Sequence, residues 1–301
     1  MSLLKNSFPI HGIYKEQDVM IPMRDGVKLA TDIYRPSNGK GDPVDFKVPA
    51  ILVRTSYDKT SNEWDDVWPF YTRRGYAVVI QDLRSRFRSE GNGEYYHTIN
   101  PWEGKDGFDT VEWLAKQDWC NGKIGTMGSS HRAITQTQLA LERPPHLSAM
   151  WIEAGPTNIF LHEAREGGAM SFQMFSALHL HALDSHETKY DKGKAKIIID
   201  AMRDMRSWIK KFPLKPGETA LKVTPYLEKT AFDYYYRGMY DEWWDQEASN
   251  QYSRMDNHAD VPITLACGFY DNFIGATLDY YLKIKDKIII KALNNFKGLP
   301  H

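Results

Sequence analysis

Residues 122–133 read Gly-Lys-Ile-Gly-Thr-Met-Gly-Ser-Ser-His-Arg-Ala, and this segment determines the architecture expected for the 301-residue chain. An Asn-Gly turn opens the segment, and a short apolar strand is predicted over residues 123–127. Ser130 then stands at a sharp corner before a helix. Such a corner exposes a serine hydroxyl, and it closes only where the neighbouring residues are small. Gly128 is the small residue before Ser130, and Ala133 is the next small residue after it.

Strand-like and helix-like segments alternate on both sides of this corner. A hairpin is predicted over residues 19–34 around Arg24-Asp25-Gly26, and further strands over residues 49–54, 76–81, 148–153, 262–268 and 287–291. Helices are predicted over residues 62–74, 106–117, 131–142 and 273–283. Continuously apolar strands that alternate with helices indicate a mostly parallel sheet with helices on both faces. Together with the Ser130 corner, this pattern predicts the α/β-hydrolase fold.

The alternation is interrupted by a long helical segment rich in Met, Trp, Tyr and Lys. We therefore predict an α/β core over residues 1–157 and 258–301 and a helical cap over residues 158–257. Such a cap would cover the carboxyl edge of the sheet, where ligands bind in folds of this class. Within it, His179 and His181 are two residues apart, so on a helix they point in nearly opposite directions. This spacing indicates an ordinary lid helix rather than a metal site.

Composition argues against several classes of partner. The chain has 38 basic and 39 acidic side chains, a net charge of −1, so electrostatics indicate neither nucleic acid nor an anionic membrane as a partner. The first residues lack an apolar signal region, and the apolar runs are shorter than the roughly 20 residues that span a bilayer. Cys120 and Cys267 have no metal-ligand spacing. We expect a cytoplasmic protein without a metal or an organic cofactor.

A serine nucleophile requires a base, an acid that orients the base, and donors for the oxyanion. In α/β-hydrolases the chain order is serine, then Asp or Glu, then histidine. Asp271 directly follows the predicted strand over residues 262–268 and fits the acid, although an aspartate there could equally cap the next helix. His301 is the one histidine after Asp271, beyond one helix and one strand, but it is the last residue, and chain ends usually fray.

Several phrases of the sequence occur in the same order in a known family. They are Val-Met-Ile-Pro-Met-Arg-Asp-Gly-Val-Lys-Leu-Ala-Thr-Asp-Ile-Tyr-Arg-Pro at 19–36, Leu-Val-Arg-Thr-Ser-Tyr-Asp-Lys at 52–59, Gly-Tyr-Ala-Val-Val-Ile-Gln-Asp-Leu-Arg-Ser-Arg at 75–86, Ser-Glu-Gly at 89–91, Glu-Gly-Lys-Asp-Gly-Phe-Asp-Thr-Val-Glu-Trp-Leu at 103–114 and Gly-Phe-Tyr-Asp-Asn-Phe at 268–273. With the Ser130 segment they span nearly the whole chain. The sequence thus resembles the cocaine esterase and X-Pro dipeptidyl-peptidase (CocE/NonD) family of α/β-hydrolases, whose serine motif is Gly-x-Ser-Tyr-x-Gly.

The resemblance implies a role for five residues. Ser130 corresponds to the nucleophile and Asp271 to the acid of the triad. Tyr57 corresponds to the tyrosine whose hydroxyl helps to form the oxyanion hole of the family. His131 stands where the family has the tyrosine after its serine, and its backbone N–H would be the second oxyanion donor, while its ring should turn away from the serine hydroxyl. Phe273 matches an aromatic residue that lines the acyl pocket.

The sequence departs from the family near its end. The family histidine follows the last strand in a Gly-Pro-Trp-x-His phrase, whereas this chain has Lys-Ala-Leu-Asn-Asn, which puts Asn295 at that place by strand register. His301 matches the histidine by its separation from Asp271, not by motif. The C-terminal β-sandwich of the family is absent from this sequence, so we expect the front portion of a longer protein.

These observations lead to one main hypothesis and two alternatives. The main hypothesis is a serine hydrolase that cleaves small-molecule esters or amides through an acyl-enzyme. The first alternative is removal of Xaa-Pro dipeptides, for which the sequence offers no assignable acidic anchor for a substrate amino group. The second is a catalytically impaired remnant with a structural or interaction role. Loss of the β-sandwich would then uncover about 600 to 1,500 Å², and such a surface favours homo-oligomers.

Overall fold

The computed structural model describes residues 8–91, 100–185, 187–286 and 291–295. Its centre is an eight-stranded sheet of β1 (Gly12–Pro22), β2 (Lys28–Ser37), β3 (Val48–Thr55), β4 (Ala77–Asp82), β5 (Cys120–Ser129), β6 (Leu147–Glu153), β7 (Ile263–Cys267) and β8 (Lys291–Asn295). The strand order is β1-β2-β4-β3-β5-β6-β7-β8. β2 pairs antiparallel with β1 and β4, and the other neighbouring strands run parallel. The mostly parallel sheet predicted from the sequence is confirmed.

Helices cover both faces of this sheet. The α-helices in the described residues are α1 (Val67–Thr72), α2 (Glu103–Ala115), α3 (His131–Leu141), α4 (Phe172–Ala182), α5 (Lys192–Arg203), α6 (Met205–Trp208), α7 (Pro225–Tyr236) and α8 (Ile274–Ile284). Successive strand side chains point to opposite faces. Val53 and Val78 therefore pack towards α1, whereas Leu52 and Val79 belong to the core beneath α2, α3 and α8.

The predicted elements recur with two changes near the start of the chain. β1 and β2 form the predicted hairpin, with Gly26 at φ 88° in its turn, but both strands are longer than expected. The predicted helix over residues 62–74 is divided into a 3₁₀ turn, Asn62–Trp64, and α1. The reason is Pro69, which lacks an N–H group and is tolerated in the first turn of a helix but not in its interior. A helix that begins at Val67 keeps Pro69 in the first turn.

The last predicted strand, over residues 287–291, falls mostly outside the described residues, which include only Lys291 of it. Lys291 begins β8, and β8 is in parallel register with the five residues of β7. The prediction for residues 287–290 stays a prediction.

A helical insertion separates β6 from β7. It contains α4 to α7, and the buried side chains of the insertion form a hydrophobic cluster that includes Phe175, Leu178, Trp208 and Trp244. Ile134 of α3 belongs to the same cluster, so the insertion packs against the helix that follows Ser130. The exact boundaries of a cap at residues 158 and 257 stay a prediction.

The insertion is also tied to the sheet by polar contacts. Arg86, in the loop after β4, donates a hydrogen bond from Nη2 to the carbonyl of His181 at 3.1 Å and lies 3.2 Å from the Asp184 carboxylate. The C-terminal end of α4 is therefore fixed to the carboxyl edge of the sheet. Within the described ranges, no helix combines the length and the apolar character needed to cross a bilayer.

Candidate active site

Ser130 occupies the corner between β5 and α3. Its backbone has φ 58° and ψ −125°, in the left-handed region that residues other than glycine rarely adopt. The Ser130 N–H lies 3.1 Å from each of the carbonyl oxygens of Glu153 and Ala154, at the end of the neighbouring strand β6. These contacts hold a strained serine at the carboxyl edge of the sheet, as the sequence predicted.

Two glycines make room for this corner. Gly128 has φ 154°, and a Cβ atom there would lie 2.5 Å from Cβ of Arg132. A Cβ atom at Gly155 would lie 2.3 Å from Cβ of Ala133. Both separations are too short for non-bonded carbon atoms. The methyl group of Ala133, which stands where the family motif Gly-x-Ser-Tyr-x-Gly has its last glycine, fits because Gly155 opposite it has no side chain.

A cavity of about 170 Å³ opens beside Ser130. Its wall contains four of the six residues predicted for the site, namely Tyr57, Ser130, His131 and Phe273. The insertion adds Glu163, Gln173, Ala177, Leu180 and His181, and the core adds Ile134 and Pro156. Polar side chains of the insertion thus share one small space with the serine.

A larger groove lies elsewhere on the sheet. It has a volume of about 680 Å³ and runs across β3, β5 and β6 beside α1, between Phe70, Met127 and Trp151. None of the residues predicted for the site lines it. A large volume alone does not indicate a reaction. We therefore place the candidate site at the smaller cavity, whose wall includes a serine hydroxyl, a tyrosine hydroxyl and two imidazoles.

Tyr57 reaches the serine from the loop after β3. Its hydroxyl lies 3.4 Å from Ser130 Oγ. Its backbone N–H donates to Thr55 Oγ1 at 3.0 Å, which shapes the turn at the end of the strand. The centroid of the tyrosine ring is 5.2 Å from the Arg132 guanidinium carbon and 5.7 Å from the centroid of the His181 ring. The phenol is therefore held between the first turn of α3 and the insertion.

His131 is the first residue of α3, and its side chain is buried. Its Nδ1 atom forms a hydrogen bond of 2.7 Å with Ser56 Oγ. The backbone N–H groups of a first helical turn have no partner within the helix and favour a negative charge. The position of His131 is thus compatible with its predicted role as a backbone donor. In addition, its ring forms the hydrogen bond with Ser56, which the sequence did not indicate.

Asp271 lies in the loop between β7 and α8. Its Oδ1 atom accepts the backbone N–H of Phe273 at 2.8 Å, which closes a local turn directly before α8. Because Phe273 is itself the N-cap residue of α8, this contact is not the side-chain helix cap of the alternative. Phe273 itself lines the cavity, so this loop contributes to the site. Burial, with a smaller effect of the Asp271 carboxylate, raises the pKa of the Cys267 thiol on the neighbouring strand. A triad role for Asp271 stays a prediction.

The predicted base cannot be placed. His301 lies outside the described residues, so its role stays a prediction. Asn295, which occupies the family histidine position by register, is the last residue of β8 and pairs with Cys267 of β7.

The sequence assigned no role to His181, which the structure brings to the cavity. Its ring centroid lies 6.3 Å from that of His131. His179 packs instead inside the insertion, 4.3 Å from the Trp208 ring, and burial lowers its pKa to about 4. The two histidines diverge as their spacing on a helix requires. Their spacing was the signal in the sequence for His181. Because the His179 ring packs inside the insertion, the His181 ring has to point towards another part of the molecule.

The Tyr57 loop continues into a buried ion-pair network. Lys59 Nζ lies 2.7 Å from Asp32 and 2.8 Å from Asp18, and the Lys59 N–H donates to Asp82 at 2.7 Å. Burial raises the pKa of Asp82 to about 7. These contacts tie the loop to β1, β2 and β4, which limits the movement of the Tyr57 backbone.

Metal ligands are not clustered in the part of the chain that the structure describes. No group of three or more His, Cys, Asp or Glu side chains there could hold a metal ion. Cys120 and Cys267 are both buried and form no disulfide.

Comparison with known proteins gives the family. Residues 25–295 match the model of the X-Pro dipeptidyl-peptidase (S15) family. The cocaine esterase of Rhodococcus sp. (strain MB1 Bresler) is 31% identical over 282 residues, which cover 89% of this chain and 46% of that protein. The chain thus spans about half the length of this relative.

Solved structures give the fold. A CocE/NonD family hydrolase from Staphylococcus aureus superposes with a TM-score of 0.64 at 19% identity, covering 93% of this chain and 46% of that one. An α-amino acid ester hydrolase superposes with a TM-score of 0.65 at 20% identity, covering 95% and 47%. The strand order, the Ser130 corner and these likenesses agree with the family match over residues 25–295. The chain belongs to the X-Pro dipeptidyl-peptidase (S15) and CocE/NonD family, and its fold is that of the α/β-hydrolases.

Proposed function

We propose that this chain is a serine hydrolase that cleaves ester or amide bonds of small molecules, with Ser130 as its nucleophile. One observation carries the proposal: a strained serine opens into a cavity in which the Tyr57 hydroxyl lies 3.4 Å from its Oγ. Backbone strain of this kind costs about 1–3 kcal/mol and concentrates at functional sites. Membership of a hydrolase family supports the same chemistry.

The reaction has two stages. In the first, Ser130 Oγ attacks the substrate carbonyl carbon while a histidine, oriented by Asp271, accepts the hydroxyl proton. The negative oxygen of the tetrahedral intermediate accepts hydrogen bonds from the Tyr57 hydroxyl and the His131 N–H. The leaving group takes the proton from the histidine, and an acyl ester remains on Ser130. In the second stage water attacks the acyl carbonyl in the same way, its proton passes through the histidine to Ser130 Oγ, and the carboxylic acid is released. Neither stage requires a metal or an organic cofactor.

The size of the cavity limits the substrate. Its volume of about 170 Å³ is smaller than the roughly 300–1,000 Å³ of sites that enclose drug-sized ligands. We infer that a short acyl group occupies this space against Phe273, and that the leaving group extends beyond it. In this proposal residues 158–257 form the cap, which limits the acyl group through His181 and Leu180.

Covalent labelling tests the proposal. A fluorophosphonate probe forms a phosphonate ester with activated serine hydroxyls and releases fluoride, so we expect a single adduct by intact mass, located at Ser130 by peptide mapping. Labelling should disappear when the protein is unfolded in denaturant, because the oxyanion donors are then lost. A folded protein that remains unlabelled would favour the catalytically impaired remnant, and an adduct on another serine would refute the assignment of Ser130.

The aspartate gives a second test. We expect Asp271→Asn to lower ester turnover about 10⁴-fold, because an amide cannot stabilise the imidazolium that forms during attack. The amide oxygen can still accept the Phe273 N–H, so the turn that Asp271 now forms is retained. Steady-state kinetics and thermal unfolding of both proteins are the measurements. Unchanged turnover would leave Asp271 with its turn contact to Phe273 alone. Asp279→Asn, at a partly exposed position of α8 where the carboxylate contacts His162 at 2.9 Å, is the matched control.

A second candidate function follows from Glu163. No acidic anchor for a substrate amino group could be assigned from the sequence, but Glu163 lines the cavity beside Ser130. A carboxylate there favours substrates with a free ammonium group, such as peptides that begin with Xaa-Pro or aminoacyl esters. Comparing an aminoacyl ester with its N-acetylated form distinguishes the two candidates, since only an ammonium-binding site discriminates strongly between them.

A further inference from the structure

Side-chain contacts join the segment that contains Tyr57 to the first turn of α3. Ser56 and His131 are both buried, with 3% and 4% of their surface exposed, and the hydrogen bond between them is 2.7 Å long. Ser56 immediately precedes Tyr57, and His131 immediately follows Ser130. The bond therefore links the residue before the phenol to the residue after the nucleophile.

Arg132 makes a second connection between the same two segments. Its guanidinium lies over the Tyr57 ring, at 5.2 Å from the centroid, and over the Trp64 ring, at 4.9 Å. Its Nη1 atom donates to Glu63 at 2.8 Å. The loop from Ser56 to Trp64 is thus held against the start of α3 at four points, which include the Ser56–His131 bond.

Oxyanion stabilisation depends on this kind of support. A donor is effective only when it is held in place before the reaction, within about 3 Å of the position that the negative oxygen will occupy. A displacement of about 1 Å can cost about 10²-fold in rate. Tyr57 lies on a loop, where such precision is unusual without supporting contacts.

We propose that the Ser56–His131 side-chain bond is a positioning contact that holds the Tyr57 hydroxyl at its oxyanion site. The proposal rests on the proposed function, because it concerns the same nucleophile. It gives the imidazole of His131 a task separate from that of its backbone N–H. Ser56 touches neither the serine hydroxyl nor the cavity and acts through Tyr57.

A double-mutant cycle tests this. We expect Ser56→Ala to lower kcat for p-nitrophenyl acetate about 10-fold with KM nearly unchanged, because the oxyanion forms only after substrate is bound. We expect Tyr57→Phe to lower kcat about 100-fold. In the Tyr57→Phe background, Ser56→Ala should have no further effect, because the hydroxyl that it positions is already gone. Ser56→Thr keeps a hydroxyl and should retain most of the parent kcat. His131→Asn keeps a polar atom near the position of Nδ1 and should lower kcat less than His131→Phe does.

The outcomes separate this inference from the proposed function. The positioning role is wrong if Ser56→Ala lowers kcat equally in the parent protein and in Tyr57→Phe, or lowers it in neither. The hydrolase assignment still stands in that case, provided that a fluorophosphonate labels Ser130 of the parent protein. If the parent protein is not labelled, both fail. Thr60→Ala removes an exposed hydroxyl of the same loop, which contacts only Asp58 in the structure, and should leave kcat unchanged. Should Ser56→Ala fail to fold, His131→Phe takes its place in the cycle with Tyr57→Phe. His131→Asn is then the variant that keeps a polar atom.

Discussion

Replacing Ser130 with alanine is expected to lower the turnover of a small ester about 10⁶-fold, the loss typical of a catalytic serine. Attack requires an oxygen nucleophile, and in the structure the hydroxyl of Ser130 faces both the cavity and the Tyr57 hydroxyl. The fold should persist, because the Ser130 contacts that shape the corner are made by its backbone. Initial rates with p-nitrophenyl acetate, together with thermal unfolding, measure both effects.

The neighbouring serine provides the control. Ser129 is the last residue of β5, and its Oγ accepts a hydrogen bond from Arg132 at 3.2 Å. Ser129→Ala removes a hydroxyl of the same type one residue away and should change turnover less than 10-fold. Equal losses in the two variants would point to damage of the corner rather than to the chemistry of one oxygen. Full activity in Ser130→Ala would exclude Ser130 as nucleophile.

Replacing His301 with glutamine is expected to cost about as much as the loss of the nucleophile, again about 10⁶-fold. A serine hydroxyl is a weak nucleophile, and the imidazole that accepts its proton also returns that proton to the leaving group. His301 is the one histidine after Asp271 in the sequence, which is the chain order of these enzymes. The pH dependence of kcat/KM should lose its lower inflection in the variant, since that inflection reports the base.

The control for this variant is His146→Gln. His146 lies at the opposite end of the sheet from Ser130, bonded to Glu112 at 2.9 Å, and should not affect turnover. If hydrolysis persists unchanged in His301→Gln, the base is another histidine. His181 is then the first to replace, because its ring shares the cavity with Ser130.

Local chemistry made the framework of this fold predictable from the sequence. The Asp25-Gly26 turn, the β-branched run of β4 and the small residues around Ser130 each specify a backbone shape within a few residues. The sheet, the hairpin and the serine corner are therefore where they were expected. Pro69 is a local signal as well, and it accounts for the division of the predicted helix over residues 62–74.

The remaining features depend on contacts between distant parts of the chain. Ser56 and His131 are 75 positions apart, and nothing in either neighbourhood indicates that they meet. His181 and Glu163 join the cavity because the insertion folds back over the sheet. The register of β8 against β7 likewise depends on residues that are distant in the chain.

The left-handed backbone at position 130 also has a thermodynamic consequence. Glycine adopts that conformation without steric penalty, whereas a residue with a side chain pays about 1–3 kcal/mol for it. Ser130 therefore trades folding stability for a hydroxyl at the corner, which is the exchange expected at a reactive site.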